Sequence, residues 1–375
     1  MAQAPSVPTD LGYSLQDVEA EGARLSFQDF LTDFVYVLEP PPGLGRIKFI
    51  PWPHLVSLAT ALAEHRLVVV LKARQVGVSW LLAAYALWTA LYHDGAVVLM
   101  LSKGEREATD LLGKARFIYG ELPPILQGVV KVDNNTELSW KRPASRIVAL
   151  PATKDAGRSE TATLVIQDEA DHHDYLDDNY ASVKPAIDAG GQLVQVSTSN
   201  KAKMLSLFKG LYRGAPGNGF KALFFPWHVR PGRDQAWFDR VKANVPHEAG
   251  LTPDLYMEQE YPASPEEALA PSKAAAFFNR DSLVAMLDDC MEPRETRQGL
   301  IRIWRKPVVN GHYVGFGDVA WGQKGAYSCF VLAESTPAGA EQVAEIYGRP
   351  PLDEMAKLIM ELTTEYNRAY FSVEA

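Results

Sequence analysis

The sequence predicts an α/β chain in which a mostly parallel sheet with flanking helices is followed by a smaller β-rich unit. Three observations carry this. Leu67 to Leu71, Ala96 to Ser102, Thr163 to Gln167 and Gln192 to Ser197 are short apolar runs of the kind that become strands buried on both faces. The first runs through a glycine loop into a helix-forming segment, a strand, loop, helix succession. The rhythm then breaks at Glu260-Tyr261-Pro262-Ala263-Ser264-Pro265-Glu266-Glu267-Ala268, and hairpin-like runs follow. With 375 residues, 47% of them hydrophobic, the chain can bury more than one core.

Taken in order, Met1 to Gln16 contains prolines and acids but no basic region leading into an apolar stretch, so no secretory signal is expected. Val76 to Tyr92 is nearly all apolar and about as long as the shortest membrane spans. It opens on the glycine and serine of the loop, however, and a strand follows at once, so it reads as a helix packed inside an α/β core. Lys131 to Leu150 reads as an inserted hairpin turning at Asn134-Asn135. Asp281 to Met291 reads as a helix near the domain connection. Gly311 to Val319 and Tyr327 to Glu334 read as a second hairpin, Leu352 to Tyr366 as a helix and Tyr370 to Glu374 as a strand. The expected division is an N-terminal segment over 1–45, a first domain over 46–272, a linker over 273–305 and a second domain over 306–375. That last domain is expected to be cut short, because it stops one residue after an acid at a strand end.

A formal net charge of −9 excludes a uniformly basic nucleic-acid binder and leaves room for a local basic channel. Cys290 and Cys329 are far apart and lack partners at metal spacing, which argues against a disulfide framework or a zinc ribbon and for a reducing, cytosolic setting.

The chemistry concentrates at the C-terminal ends of the buried runs, where parallel sheets carry their sites. Lys72-Ala73-Arg74-Gln75-Val76-Gly77-Val78-Ser79 is close to the phosphate loop Gly-x-x-x-x-Gly-Lys-[Ser/Thr], whose amides wrap phosphates and whose hydroxyl binds magnesium. Gly77 and Ser79 stand correctly, but Val78 replaces the lysine, and Lys72 occupies the first position. A lysine there could fold back over the phosphates, with Arg74 between. Asp168-Glu169 ends the third run, the arrangement in which an aspartate holds magnesium and a glutamate polarises the attacking water. Each motif alone is common; together, in order and about ninety residues apart, they point to nucleotide hydrolysis. Arg158, in Ala156-Gly157-Arg158-Ser159, is a candidate for stabilising charge on the departing phosphate, from this subunit or a neighbour, although an exposed arginine on a glycine loop is more often solvated. Ser197-Thr198-Ser199-Asn200 is placed to sense phosphate or simply to cap a helix. His172, His173, Asp174, Asp177 and Asp178 have no convergent metal spacing and read as a solvated loop.

With these residues in hand, the chain from about Phe49 onward resembles the large terminase subunit of tailed bacteriophages, the ATP-driven motor that packages DNA into procapsids. Lys72 to Ser79 is similar to the family's deviant phosphate loop, in which the lysine is displaced to the first position in some members. Phe49-Ile50-Pro51-Trp52-Pro53-His54 resembles its adenine-contacting segment, without the usual glutamine near the end. Gly157-Arg158-Ser159 resembles its arginine-finger loop, Ser197-Thr198-Ser199 the motif coupling hydrolysis to movement, and Tyr261-Pro262 to Glu266-Glu267-Ala268 the exit from the ATPase domain. Gly317-Asp318-Val319-Ala320-Trp321-Gly322 and Val373-Glu374-Ala375 resemble two acid-bearing strands of the family's nuclease domain of RNase H type.

The resemblance implies a P-loop ATPase of the additional-strand class joined to an incomplete RNase H-like domain. Lys72, Arg74, Gln75, Gly77, Val78, Ser79, Trp52 and Thr198 would bind ATP. Ser79 and Asp168 would hold Mg2+, with Glu169, Arg158 and Lys72 acting on the γ-phosphate. Asp318 and Glu374 would bind Mg2+ or Mn2+ for two-metal cleavage of concatemeric DNA, with a third carboxylate expected downstream. Implied partners are double-stranded DNA, the portal protein, the small terminase subunit and a homo-oligomeric ring on the procapsid, without a membrane. The implied location is the cytoplasm of the infected bacterium, outside the mature virion. A P-loop helicase or repair translocase and a non-catalytic nucleotide-dependent assembly module remain as alternatives.

Overall fold

The computed structural model describes residues 15–39, 45–158, 160–245, 252–270, 286–287, 289–320, 327–337 and 339–374. The chain divides into two compact units, Met1–Phe277 and Phe278–Ala375.

The first unit opens with helices α1 (Leu15–Leu25) and α2 (Phe27–Phe34) and a small antiparallel pair, β1 (Tyr36–Glu39) and β2 (Gly45–Lys48). Helix α3 (Pro53–Glu64) leads to strand β3 (Leu67–Lys72), helix α4 (Val78–Tyr92), strand β4 (Val97–Ser102) and helix α5 (Glu105–Glu121). Three strands follow, β5 (Val129–Asp133), β6 (Glu137–Arg142) and β7 (Arg146–Pro151), then β8 (Leu164–Asp168), helix α6 (Leu176–Asp188) and β9 (Gln192–Ser197). Helix α7 (Leu207–Gly214), strand β10 (Lys221–Phe225) and helices α8 (Gln235–Ala243), α9 (Pro253–Glu260) and α10 (Pro265–Leu269) follow among the described residues.

The sheet order is β10-β3-β9-β8-β4-β7-β6-β5, parallel from β10 to β7 and antiparallel over the last three strands. Strand β9 lies between the strand feeding the glycine loop and the strand ending in Asp168, which is the additional-strand arrangement expected from the sequence. The hairpin at Asn134-Asn135 is β5–β6, while β7 joins the parallel core.

Core packing explains helix α4. Its residues are buried around most of its circumference, from Val78 and Leu81 to Leu91, because helices and sheet enclose it. Among the described residues no helix is long and apolar enough to cross a membrane. The described helices of the segment set off over 1–45 contribute to this core rather than lying outside the first domain. Phe27, Phe30 and Leu31 are buried in it, Phe27 meets Tyr85 edge-on at 4.8 Å, and Trp88 Nε1 donates to Ala23 O at 2.9 Å. The apolar face of α2 is what the sequence division overlooked.

In the second unit a six-stranded sheet runs β11 (Glu295–Arg297), β12 (Ile301–Ile303), β15 (Gly339–Gly348), β14 (Ser328–Thr336), β13 (Tyr313–Asp318) and β16 (Tyr370–Val373). Strands β13, β14 and β15 form an antiparallel meander, and β16 pairs parallel to β13 after the helix Leu352–Glu365. The β13–β14 hairpin, the helix and the strand β16 are the elements read from the sequence. Here the linker assignment over 273–305 needs correction, since β11 and β12 belong to the second sheet, where Ile301 and Ile303 are buried. Three-residue strands offer too few positions for an alternating pattern to be read. Most of the expected helix from Asp281 to Met291 lies outside the described residues.

Candidate nucleotide site and acidic edge

The site is assembled where β3, β8 and β9 end. Beyond Lys72 the chain leaves the sheet under local constraint. The Ala73 N–H donates to Phe225 O and the Arg74 N–H to Glu260 O, each at 2.8 Å. Gln75 then takes φ 57° and Gly77 φ 83°. Glycine suits position 77 because the backbone is left-handed, and a Cβ would crowd Leu55 Cδ1 at 3.0 Å. Val78 packs into the core rather than projecting outward. Ser79 follows in the first turn of α4, where free N–H groups and the helix dipole favour anions.

The lysine, serine and both acids meet. Ser79 Oγ donates to Asp168 Oδ2 at 3.2 Å, and Lys72 Nζ donates to Glu169 Oε1 at 3.0 Å. The other Glu169 oxygen, Oε2, accepts from the Thr198 hydroxyl at 3.3 Å and the Thr198 N–H at 3.4 Å. Glu169 sits at φ 54° and ψ 40°, a left-handed conformation uncommon outside glycine, and such backbone strain tends to collect at functional positions.

Burial and charge work against each other here. Desolvation pushes the Glu169 carboxyl up, but the Lys72 ammonium and its hydrogen bond outweigh that and hold it at about 2. Asp168 is raised, because burial outweighs the same lysine. Lys72 is itself nearly buried; desolvation alone would lower it, and Glu169 and Asp168 together raise it. One cation thus stabilises two carboxylates in a low-dielectric pocket.

Around this centre, Arg74 pairs with Glu260 at 2.5 Å rather than pointing at the acids. Two arginines that the sequence did not single out brace the loop. Arg230 donates to Gln75 O at 2.9 Å, and Arg233 donates to Arg74 O at 2.8 Å and to Gln75 Oε1 at 3.1 Å. No local signal marks them, since their partners lie more than 150 residues earlier. Trp52 stands beside Gly77 with Arg230 5.8 Å above its ring.

Arg158 is not brought into this group. It is exposed on its loop and pairs with Asp155 at 2.6 Å, while Ser159 lies outside the described residues. The solvated-loop reading of the histidines needs correction. His173 is buried and bonded through Nε2 to Asp168 O at 2.8 Å, and His172 reaches Thr198 Oγ1 at 3.0 Å. Asp171, also unnoticed, is buried and accepts the Asn200 N–H at 2.6 Å and the Ser206 hydroxyl, with Lys209 Nζ 3.6 Å away. Asp174, Asp177 and Asp178 are exposed as expected, and among the described residues no cluster of potential ligands forms a metal centre of its own.

In the second unit the two candidate acids share one sheet edge. Gly317 pairs in parallel register with Val373, and the Glu374 N–H donates to Gly317 O at 2.8 Å, so Asp318 and Glu374 end neighbouring strands. Both are exposed, and among the described residues neither carboxylate has a hydrogen-bond or ion-pair partner. Trp321 and Gly322 of the expected motif, and Ala375, lie outside the described residues.

No family model matches this sequence, and no curated protein does. Solved structures do. The large terminase of bacteriophage HK97 is 15% identical over 94% of this chain and 74% of its own, with a TM-score of 0.49. The large terminase ATPase domain of Thermus phage P74-26 is 20% identical over 56% of this chain and 92% of its own, with a TM-score of 0.45. A large terminase from a further thermophilic bacteriophage is 11% identical over 84% of this chain and 73% of its own, with a TM-score of 0.44. These values describe a likeness; the strand order and the site stand on the chain's own geometry.

Proposed function

We propose that this chain is an ATP-hydrolysing motor of large-terminase type, which moves double-stranded viral DNA into a procapsid and carries metal-dependent endonuclease chemistry in its second unit. The observation that supports this most is the convergence of Lys72, Ser79, Asp168, Glu169 and Thr198 at one strand edge, with β9 between the two motif strands.

In this reading Ser79 and Asp168 would hold magnesium, since their neighbouring oxygens, 3.2 Å apart, are the hard ligands that cation favours. Magnesium would supply charge neutralisation on the phosphates. The amides of the Gln75–Ser79 turn and the start of α4 cradle the phosphates. Glu169, kept ionised, is suited to polarise a water through a carboxylate oxygen. Lys72 donates to Oε1 of that carboxylate; bound phosphates would draw the ammonium away and release the oxygen for water. Arg74, Gln75, Val78 and Trp52 would shape the nucleotide pocket, and Arg158 would act from its exposed loop on the same or a neighbouring subunit's γ-phosphate.

The second unit would use Asp318 and Glu374 as ligands for Mg2+ or Mn2+ in cutting concatemeric DNA. A motor acting on any sequence would grip DNA by its phosphates, through local basic surface rather than overall charge. A portal protein, a small subunit, a ring of copies on the procapsid and a place in the host cytoplasm belong to the same proposal.

The direct test is steady-state ATP hydrolysis by the purified chain with and without DNA, in the parent, Lys72→Ala and Glu169→Ala. We expect each substitution to lower kcat by at least about 100-fold. A parent without activity, or activity surviving both changes, would overturn the reading in favour of a non-catalytic nucleotide-dependent module.

A further inference from the structure

We infer that His172 is a positioning residue for hydrolysis, acting on the water-polarising Glu169 through the Thr198 hydroxyl. This rests on the proposed role of Glu169 and goes beyond it, because His172 belongs to none of the motifs.

The geometry begins at the carboxylate. A carboxylate accepts hydrogen bonds, so the Thr198 hydroxyl, 3.3 Å from Oε2, directs its single proton there. With that proton committed, the hydroxyl oxygen can only accept from His172, whose Nε2 lies 3.0 Å away. The chain is therefore His172 Nε2–H to Thr198 Oγ1, and Thr198 Oγ1–H to Glu169 Oε2. It fixes the histidine as the Nε2–H tautomer and gives Thr198 one rotamer.

Position makes this more than a surface contact. Glu169 has a left-handed backbone, and the single helical turn Ala170–His172 that follows it is tied at several points to the chain leaving β9. The Asp171 N–H donates to Ser197 Oγ at 3.1 Å, the Asp171 carboxylate accepts the Asn200 N–H at 2.6 Å, and Lys203 Nζ donates to His173 O at 2.8 Å. His172 is the member of this seam whose side chain reaches the hydroxyl that touches the reacting carboxylate. While Lys72 holds Oε1, His172 and Thr198 hold Oε2, so the carboxylate is clamped on both oxygens. Once Lys72 turns to phosphate, the Thr198 contacts alone would keep the carboxylate aimed. Asn200, at the other end of the seam, is tied to α7 through its carbonyl, which accepts from Lys209 Nζ at 2.7 Å.

The test combines turnover with a direct view of the histidine. His172→Phe keeps the ring and removes the donor, His172→Gln restores a donor at the Nε2 position, and Thr198→Val removes the hydroxyl. We expect His172→Phe to lower kcat roughly tenfold, the effect of losing about one hydrogen bond's worth of orientation, with the KM for ATP and the melting temperature unchanged. His172→Gln should recover most of the loss, and His172→Phe should do nothing further in the Thr198→Val background. Long-range nitrogen-15 NMR of the parent should show His172 as the Nε2–H tautomer, its Nε2 proton exchanging faster in Thr198→Val. Full kcat in His172→Phe, an undiminished effect in the Thr198→Val background, or an Nδ1–H tautomer would overturn the inference. If Glu169→Ala is also fully active, the underlying assignment has failed; if it is inactive and only the histidine results disagree, the relay alone has.

Discussion

The acids at the two strand edges of this molecule are held in opposite ways. Asp168 and Glu169 sit in a protein-made pocket, where Lys72, Ser79, Thr198 and backbone groups already satisfy them. Asp318 and Glu374 are also brought to neighbouring strand ends by sheet register, yet they remain exposed and without a partner among the described residues. The contrast separates two designs. The first edge sets the charge state of its acids by burial beside a cation, so its chemistry and its stability are coupled. At the second, the fold contributes placement, and a bound cation would have to contribute most of the electrostatics.

The largest expected consequence concerns Lys72. Lys72→Met leaves two desolvated carboxylates without their cation, so denaturant unfolding should show a loss of about 4 kcal/mol. Adding Glu169→Gln should recover much of it, because the orphaned charge is removed. Equal losses in the single and double variants would mean that the pocket is wetter than the buried lysine implies.

His173 extends the contrast to pH. Burial pulls its imidazole down to about 4 from an ordinary value of 6.5, opposed by its bond to the Asp168 carbonyl. The unfolded chain therefore binds a proton that the folded chain refuses between pH 6.5 and 4. Stability contributed by the neutral ring is complete above that window and falls with pH through it, by up to about 3 kcal/mol. His173→Gln keeps a donor without the titration. The stability difference between parent and variant should be constant above pH 7 and should move against the parent toward pH 4; a flat difference would show that His173 titrates normally.

Legibility from sequence followed the range of the interactions. The runs ending at Leu71, Ser102, Gln167 and Ser197 were readable because strands buried on both faces must be continuously apolar, and their limits differ from the observed strands by about one residue. The meeting of Lys72, Ser79, Asp168 and Glu169 was readable because both motifs stand at the C-terminal ends of buried parallel strands. His172 and His173 were misread, since a run of histidines and aspartates looks solvated until Thr198 and Lys203 fold over it from 26 and 30 residues away. The pairing of Arg74 with Glu260 and the bracing by Arg230 and Arg233 depend on contacts that no local pattern encodes. Strands β11 and β12 were missed for lack of length, and the packing of α1 and α2 because their partner surface is α4.

The smallest expected effect lies at the second edge, and it is the one that tests whether the two designs differ. Replacing an exposed carboxylate with no partner removes neither packing nor a charge pair, so Asp318→Asn and Glu374→Gln should each change unfolding stability by less than about 0.5 kcal/mol. With manganese present the prediction separates further. If both acids ligate the ion, the parent's melting temperature should rise with manganese concentration, because a ligand that binds only the folded state stabilises it. Either substitution should flatten that rise, and chelation should abolish it in the parent alone. A large metal-free loss in either variant would show that these acids are structural after all. The second edge would then be built like the first.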